Sequence, residues 1–242
     1  MQSLRALHTA YGFAIFSILF LIFFPLLLIP IVFPKQSQWV GMINRWWAKS
    51  MFILTFLPYS IKCEAKLDTK RNYIFCPNHF SYLDIPTMGL NPINTIFVGK
   101  NDMEKIPLFG FMYRKLHITV NRKSLKSRSN TMIETMKALD EGKSMVIYPE
   151  GGMVTKNPPT MGAFKEGPFR MAIEKQIPVV PVTIPFNWII LPDRKRMLLH
   201  AGKVKVIFHH PIETIGMTLA DTARLKQQVF SIIETELKKH HR

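Results

Sequence analysis

Apolar and polar residues are distributed unevenly along the chain. From Tyr11 to Phe33 the sequence YGFAIFSILFLIFFPLLLIPIVF carries no charge. As a helix it would reach about 34 Å, slightly more than the roughly 30 Å hydrocarbon layer of a membrane. A cleaved signal peptide usually has a shorter apolar region ending in small residues, whereas Pro25, Pro30 and Pro34 stand where cleavage would occur. A buried core helix is the other reading, but apolar side chains on every face need a larger protein around them. Pro25 and Pro30 interrupt the helical hydrogen-bond ladder, so a straight span and a helix that turns back are both expected geometries. Behind this run, Trp39, Val40, Ile43, Trp46, Trp47, Met51 and Leu54 recur at three- and four-residue spacing, with Arg45 and Lys49 on another face. Such an aromatic, basic stripe fits either a membrane–water boundary or a core-facing helix.

From about Ile61 the period changes. Short β-rich runs are expected at Ile61–Ala65, Tyr73–Cys76, Thr95–Val98, His117–Val120, Ser144–Tyr148, Val179–Ile184 and Lys203–Phe208. Helical stretches separate several of them, the clearest at Ser127–Asp140, Ala163–Lys175 and Leu219–Lys239. The last opens with Thr218 and Asp221 at capping-box spacing, and Leu225, Val229, Ile232 and Leu237 should face inward. This alternation predicts an α/β fold with a central, mostly parallel or mixed sheet covered by helices, preceded by a membrane-inserting helical segment. Residues 1–60 are expected to form the anchor and interfacial helix, and residues 61–242 a single catalytic or binding domain.

Composition narrows the partners. Of 242 residues, 32 are Lys or Arg and 16 Asp or Glu, a formal charge of +16, which favours an anionic partner: nucleic acid, a phospholipid surface or a phosphorylated substrate. No nucleic-acid motif is present, and the first acidic residue is Glu64, so the membrane surface is preferred. The basic residues flanking the apolar run lie mostly after it, which places the domain on the cytoplasmic side of the cell inner membrane. Two cysteines, Cys63 and Cys76, exclude a disulfide scaffold.

Candidate chemistry gathers where strands end. Asn78-His79-Phe80-Ser81-Tyr82-Leu83-Asp84 follows the Tyr73–Cys76 run. On a regular helix His79 and Asp84 would lie about 140° apart, so they meet only with His79 in the loop and Asp84 at the helix start, an arrangement that Pro86 favours. A carboxylate on one imidazole nitrogen fixes the tautomer and leaves the other free to accept a proton. A turn histidine beside a capping aspartate accounts for the same residues. Tyr148-Pro149-Glu150-Gly151-Gly152 ends another strand with a carboxylate and two glycines, which let backbone amides approach an anion. Asn121-Arg122-Lys123 ends a third, and guanidinium suits phosphate. These three clusters read as one pocket.

In these motifs the chain resembles the glycerophospholipid acyltransferases, the lysophosphatidic acid acyltransferase group in particular. Asn78, His79 and Asp84 match that family's first motif. Lys105-Ile106-Pro107, Gly110 and Arg122 match the second, Tyr148 to Gly151 the third, and Ile177-Pro178-Val179-Val180-Pro181-Val182 the fourth. The resemblance implies His79 as general base and Asp84 as its orienting partner. It implies substrate binding by Asn78, Ser81, Lys105, Gly110, Arg122, Glu150, Gly151 and Gly152, and an acyl-donor region at Pro178, Val180 and Pro181. It further implies a lysolipid acceptor, acyl-CoA or acyl carrier protein as co-substrate, a phospholipid membrane as partner, and neither a cofactor nor a metal. The sequence departs from the pattern after Glu150-Gly151, where Gly152 and Met153 replace the usual threonine and arginine, and at Asn121, where the family often has aspartate. Lys156 or Lys165 could supply the missing charge. Another lysolipid, including a lyso-amino-acid lipid, is a second candidate acceptor, and a non-catalytic lipid-binding protein is the reading from a different class. A serine hydrolase is excluded by the lack of a glycine-x-serine-x-glycine turn.

Three further features have two readings each. His209-His210 is either half of a metal site or an exposed strand end. Arg194-Lys195-Arg196 is either a contact for lipid headgroups or carrier protein, or a turn between two buried strands. Phe109, Phe111, Met112 and Tyr113 either line an acyl tunnel or belong to the core.

Overall fold

The computed structural model describes residues 2–121, 124–193 and 197–241. Arg122, Lys123 and the Arg194-Lys195-Arg196 run lie outside the described residues.

Seven strands form one sheet: β1 (Tyr59–Cys63), β2 (Ile74–Pro77), β3 (Thr95–Lys100), β4 (Ile118–Val120), β5 (Ser144–Ile147), β6 (Val179–Thr183) and β7 (Val204–Phe208). Their order is β1-β7-β6-β2-β5-β3-β4. Every neighbouring pair is parallel except β6 and β7. All seven fall on the β-rich runs read from sequence, with β1 starting two residues early at Tyr59. The central strands β2, β5 and β6 are buried at every position, the signature of a parallel sheet covered on both faces.

Alternate side chains divide between the two faces. Ile74, Cys76, Met145, Ile147 and Val179 pack under α5 (Leu125–Asp140), α6 (Gly167–Glu174) and α8 (Thr222–His240). Tyr73, Phe75, Val146, Tyr148, Val180 and Val182 face the other way, with Met88 of α3 (Asp84–Met88). The α8 stripe is Leu225, Val229, Ile233 and Leu237, all at most 1% exposed. Ile233 therefore takes the inward place expected of Ile232, because strict four-residue spacing tracks one side of the helix. The Thr218–Asp221 capping box forms as anticipated, on the 3-10 turn leading into α8.

The apolar N-terminal run belongs to one uninterrupted helix, α1 (Gln2–Val32), with Pro25 and Pro30 inside it. By length and composition it is able to cross a membrane, and only 17% of its most apolar window is buried. A short 3-10 turn leads to α2 (Trp39–Leu54), and the two helices run antiparallel: Tyr11 bonds the carbonyl of Leu54 and His8 that of Thr55. This helix pair packs on the rest of the fold. Leu19, Ala48, Met51 and Phe52 share a core with Leu83, Leu90, Ile190, Leu199 and Val204. Farther along, Leu27 meets Met112 of α4 (Phe109–Leu116), and the Phe20 ring packs tilted against Phe109 with centroids 5.5 Å apart. Met112 and Tyr113 are buried while Phe111 is exposed, so this aromatic face seats α1 and α2 on the domain. The opposite side of the pair leaves Phe13, Ile18, Leu21, Ile22, Trp46 and Ile53 exposed.

Candidate active site

Parallel strands β2 and β5 are neighbours, so their C-terminal ends open at the same edge of the sheet. There β2 stops at Pro77, the chain turns through His79 to Ser81, and α3 begins at Asp84. His79 Nδ1 lies 3.0 Å from Asp84 Oδ2. The same oxygen accepts the backbone N–H groups of Phe80 at 2.8 Å and Ser81 at 2.9 Å. Asp84 therefore does both things its sequence position allowed: it caps the turn and holds the imidazole. Its other oxygen accepts from Asn187 Nδ2 at 3.0 Å. The Asp84 side chain is 1% exposed, and these donors replace the water a buried carboxylate loses. With Nδ1 so engaged, Nε2 is the nitrogen left to meet a substrate, and the ring reaches solvent with 10% of its side-chain surface.

Glu150, at the end of β5, braces the same turn. Its Oε1 accepts the His79 backbone N–H at 2.9 Å and its Oε2 that of Gly162 at 2.7 Å. Burial pushes this carboxyl up to about 7, against the pull of the two N–H donors. The Tyr148 ring stacks on the imidazole with centroids 4.0 Å apart and planes 24° apart. Its hydroxyl is buried without a partner among the described residues, and burial raises its pKa well above the usual phenol value. Gly151 and Gly152 continue the loop at φ +78° and +145°, backbone that side-chain-bearing residues rarely adopt.

The structure thus gathers His79, Asp84, Glu150, Gly151 and Gly152 at one edge. Other residues singled out from the sequence sit elsewhere or serve the scaffold. Asn78 is fully buried, with both ends of its amide bonded to the backbone of Ile184 at 3.0 and 2.8 Å. The Ser81 hydroxyl donates to Leu191 O at 2.7 Å and accepts from Leu83 N–H, so it too is engaged by the scaffold. Gly110 is a packing glycine: a β-carbon there would stand 2.0 Å from the carbonyl oxygen of Glu104. Lys105 is exposed in the 3-10 turn before α4, with no bond to the histidine or its partners. Pro178 accepts Ile74 N–H at the far, N-terminal end of the sheet. Val180 and Pro181 are buried within β6 beside Phe75 and Cys76. Register explains this: a central strand contributes its terminal residues to a site at its edge and its middle residues to the core.

Asn187 is the functional residue that the sequence did not announce. It stands 103 positions from Asp84, in the four-residue α7 (Asn187–Ile190), outside every motif quoted from the sequence. No local spacing connects the two. Tyr148 lay within a quoted motif, but its stacking on His79 follows only from the adjacency of β2 and β5.

Of the histidine pair His209-His210, the first is buried and bonded to Glu64 and Thr183, the second exposed. No group of three or more potential metal ligands occurs among the described residues. A groove of about 560 Å³ lined by Thr95, Lys115, His117, Lys137 and Ser144 opens at the strand starts, the end of the sheet opposite His79.

Comparison with known proteins bears on this edge. The family model described as Acyltransferase matches residues 60–185, which include β2, β5, β6 and the whole histidine turn. The chain is similar to the chloroplastic 1-acyl-sn-glycerol-3-phosphate acyltransferase LPAT1 of Arabidopsis thaliana, 29% identical over 183 residues that cover 74% of this chain and 50% of that protein. It is also similar to a probable 1-acyl-sn-glycerol-3-phosphate acyltransferase of Mycoplasma genitalium, 27% identical over 180 residues, 69% of this chain and 66% of the other. The chain spans about half the length of the first curated relatives it matches. Among solved structures, the 1-acyl-sn-glycerophosphate (LPA) acyltransferase PlsC of Thermotoga maritima shares the fold, with a TM-score of 0.83 at 22% identity over 100% of this chain and 98% of that one.

Proposed function

The chain belongs to the acyltransferase family, and from that premise we propose that it moves a fatty acyl group from an acyl thioester to the free hydroxyl of 1-acyl-glycerol-3-phosphate, giving phosphatidate. The observation that carries the reading is the contact of 3.0 Å between His79 Nδ1 and a buried, four-bonded Asp84, which leaves Nε2 as the ring nitrogen free for a substrate. With Nδ1–H donated to the carboxylate, Nε2 is the basic nitrogen. It takes the proton from the acceptor hydroxyl as that oxygen attacks the thioester carbonyl. The C–S bond then breaks, and the imidazolium returns the proton to the leaving thiolate. Asp84 stabilises the imidazolium between these steps. No protein nucleophile is needed and no acyl-enzyme forms. General-base assistance of this kind supplies about 10²- to 10⁴-fold in rate, and holding two lipid-bound reactants in line supplies much of the rest.

The donor is acyl-CoA or acyl carrier protein, both anionic, in keeping with a chain of charge +16. The acceptor arrives through the bilayer. Along one flank α1 packs on α2 and α4, while its other flank and the exposed side of α2 present apolar and indole side chains to lipid. Leu83, one residue before Asp84, shares its core with Leu19 of α1, so the helix that enters lipid sits against the catalytic turn. We place the domain on the cytoplasmic side of the inner membrane, where the thioester donors are made.

The test uses the full chain in detergent with acyl-CoA or acyl carrier protein and a panel of acceptors: lysophosphatidate, other lysophospholipids and a lyso-amino-acid lipid. Thiol release that requires an acceptor, shows no burst without one and yields a new ester by mass supports the proposal. Thiol release independent of acceptor, or binding of lysolipids with no turnover on any of them, overturns it.

A further inference from the structure

The charge that selects the acceptor has a place in the structure outside the four motifs. Lys165 lies in the loop between β5 and α6, where its backbone N–H is held by Pro149 O at 2.8 Å. Its side chain runs over Gly151: the Cγ and Cε atoms stand 3.7 and 3.9 Å from the point a β-carbon of Gly151 would occupy. These are ordinary van der Waals contacts, so the lysine stem rests against the turn that the positive φ of Gly151 creates. The Lys165 ammonium forms neither an ion pair nor a hydrogen bond among the described residues, although Glu150 is the next residue along the turn it covers. The reason is geometric, since both Glu150 oxygens are already committed, one to His79 N–H and one to Gly162 N–H. In the same loop, the N–H groups of Gly152 and Met153 donate no hydrogen bond to the described residues. An unpaired ammonium beside a glycine turn that carries two free amides is suited to an anion with several acceptor oxygens. Lys156, the other lysine of the loop, is exposed without that seat against Gly151.

We propose that Lys165, seated over the Gly151–Gly152 turn, is the specificity-determining residue that binds the phosphate monoester of the acceptor. The inference rests on the acyltransferase reading and deepens it. In lysophosphatidate the reacting hydroxyl and the phosphoester oxygen sit on adjacent carbons, so the phosphate must bind within a residue or two of the imidazole. Glu150 spans that interval, bonded to His79 on one side and continuous with Gly151 on the other.

The experiment compares wild type, Lys165→Met and Lys165→Arg for KM and kcat on lysophosphatidate, on uncharged monoacylglycerol and on the thioester donor. For Lys165→Met the kcat/KM ratio of lysophosphatidate to monoacylglycerol should fall about 10- to 100-fold, mainly through the lysophosphatidate KM, as loss of a charge-assisted contact requires. Lys165→Arg should restore most of it, and the donor KM should stay within about twofold. An unchanged ratio, a raised donor KM in place of the acceptor KM, or equal loss on both acceptors overturns the assignment. Because Lys165 is exposed, thermal unfolding of the variants should match wild type. Absence of turnover in the wild type on every acceptor would count against the acyltransferase reading itself, whereas turnover with an unchanged ratio counts against Lys165 alone.

Discussion

Two imidazole–carboxylate pairs occur in this fold at the same separation, and only one is built for chemistry. His79 Nδ1 is 3.0 Å from Asp84, and His209 Nδ1 is 3.0 Å from Glu64. They differ at the second nitrogen. The Nε2 of His209 is taken by the Thr183 hydroxyl at 2.8 Å, deep beneath α8, and Thr183 is fully buried. Thr183, His209 and Glu64 thus have the hydroxyl–imidazole–carboxylate order of a nucleophilic triad with no room for a substrate. Their partners differ as well. Asp84 is 1% exposed and locked by four donors, whereas Glu64 is 24% exposed and shared with Lys62 at 3.0 Å. Burial acts to raise the Glu64 pKa, yet its bonds to Lys62 and His209 bring it below the usual carboxylate value. The His209 pKa is lowered, chiefly by burial. A histidine–carboxylate contact is therefore common scaffolding. What makes a base is a second nitrogen left open at a cleft and a carboxylate that cannot turn away.

That contrast is broken most severely by Asp84→Asn. The amide keeps the shape but offers one acceptor oxygen where Asp84 serves four donors, so the imidazole tautomer is no longer fixed. We expect kcat/KM for acyl transfer to fall about 10²- to 10⁴-fold. Unfolding free energy should fall by about 1–3 kcal/mol, since Asn187 Nδ2 or a backbone N–H then faces a donor. Activity assays and chemical denaturation of the same preparations check both, and a change in stability without a change in rate would reduce Asp84 to a cap.

A smaller effect sharpens the role of Glu150. Burial raises its folded-state pKa to about 7 from the usual carboxyl value of 4.5, so the folded protein holds a proton there that the unfolded chain has released. The stability linked to this group is therefore complete below about pH 4.5 and is lost as pH rises toward 7. Denaturation of wild type and Glu150→Gln should diverge with pH. Relative to the variant, wild-type stability should decline by about 1–3 kcal/mol between pH 5 and pH 7.5. A flat difference would mean that the two N–H donors keep Glu150 ionised throughout.

These contrasts also show what could be read from the sequence. The central strands β2, β5 and β6 were legible because buried parallel strands are continuous apolar runs, and the His79–Asp84 contact because its members lie five positions apart across a turn that Pro86 favours. Asn187 was hidden by 103 residues of separation. Asn78 and Ser81 resembled ligands because a motif records which residues recur together and not whether they face substrate or scaffold. Where Pro178, Val180 and Pro181 stand along the sheet was hidden for a related reason: a strand's sequence does not say which end of the sheet carries the chemistry until its neighbours are known. His209 reads as an exposed strand end locally, yet the antiparallel return of β7 beside β6 carries it into the core.

Thiol release from an acyl thioester in the presence of lysophosphatidate, measured side by side for wild type, His79→Ala and His209→Ala, tests the central claim most directly. The account predicts a loss of at least about 100-fold for His79→Ala with thermal unfolding nearly unchanged, and activity within about threefold of wild type for His209→Ala, which should lose stability instead. Equal turnover by His79→Ala and wild type, or an equal loss in both variants, would contradict it.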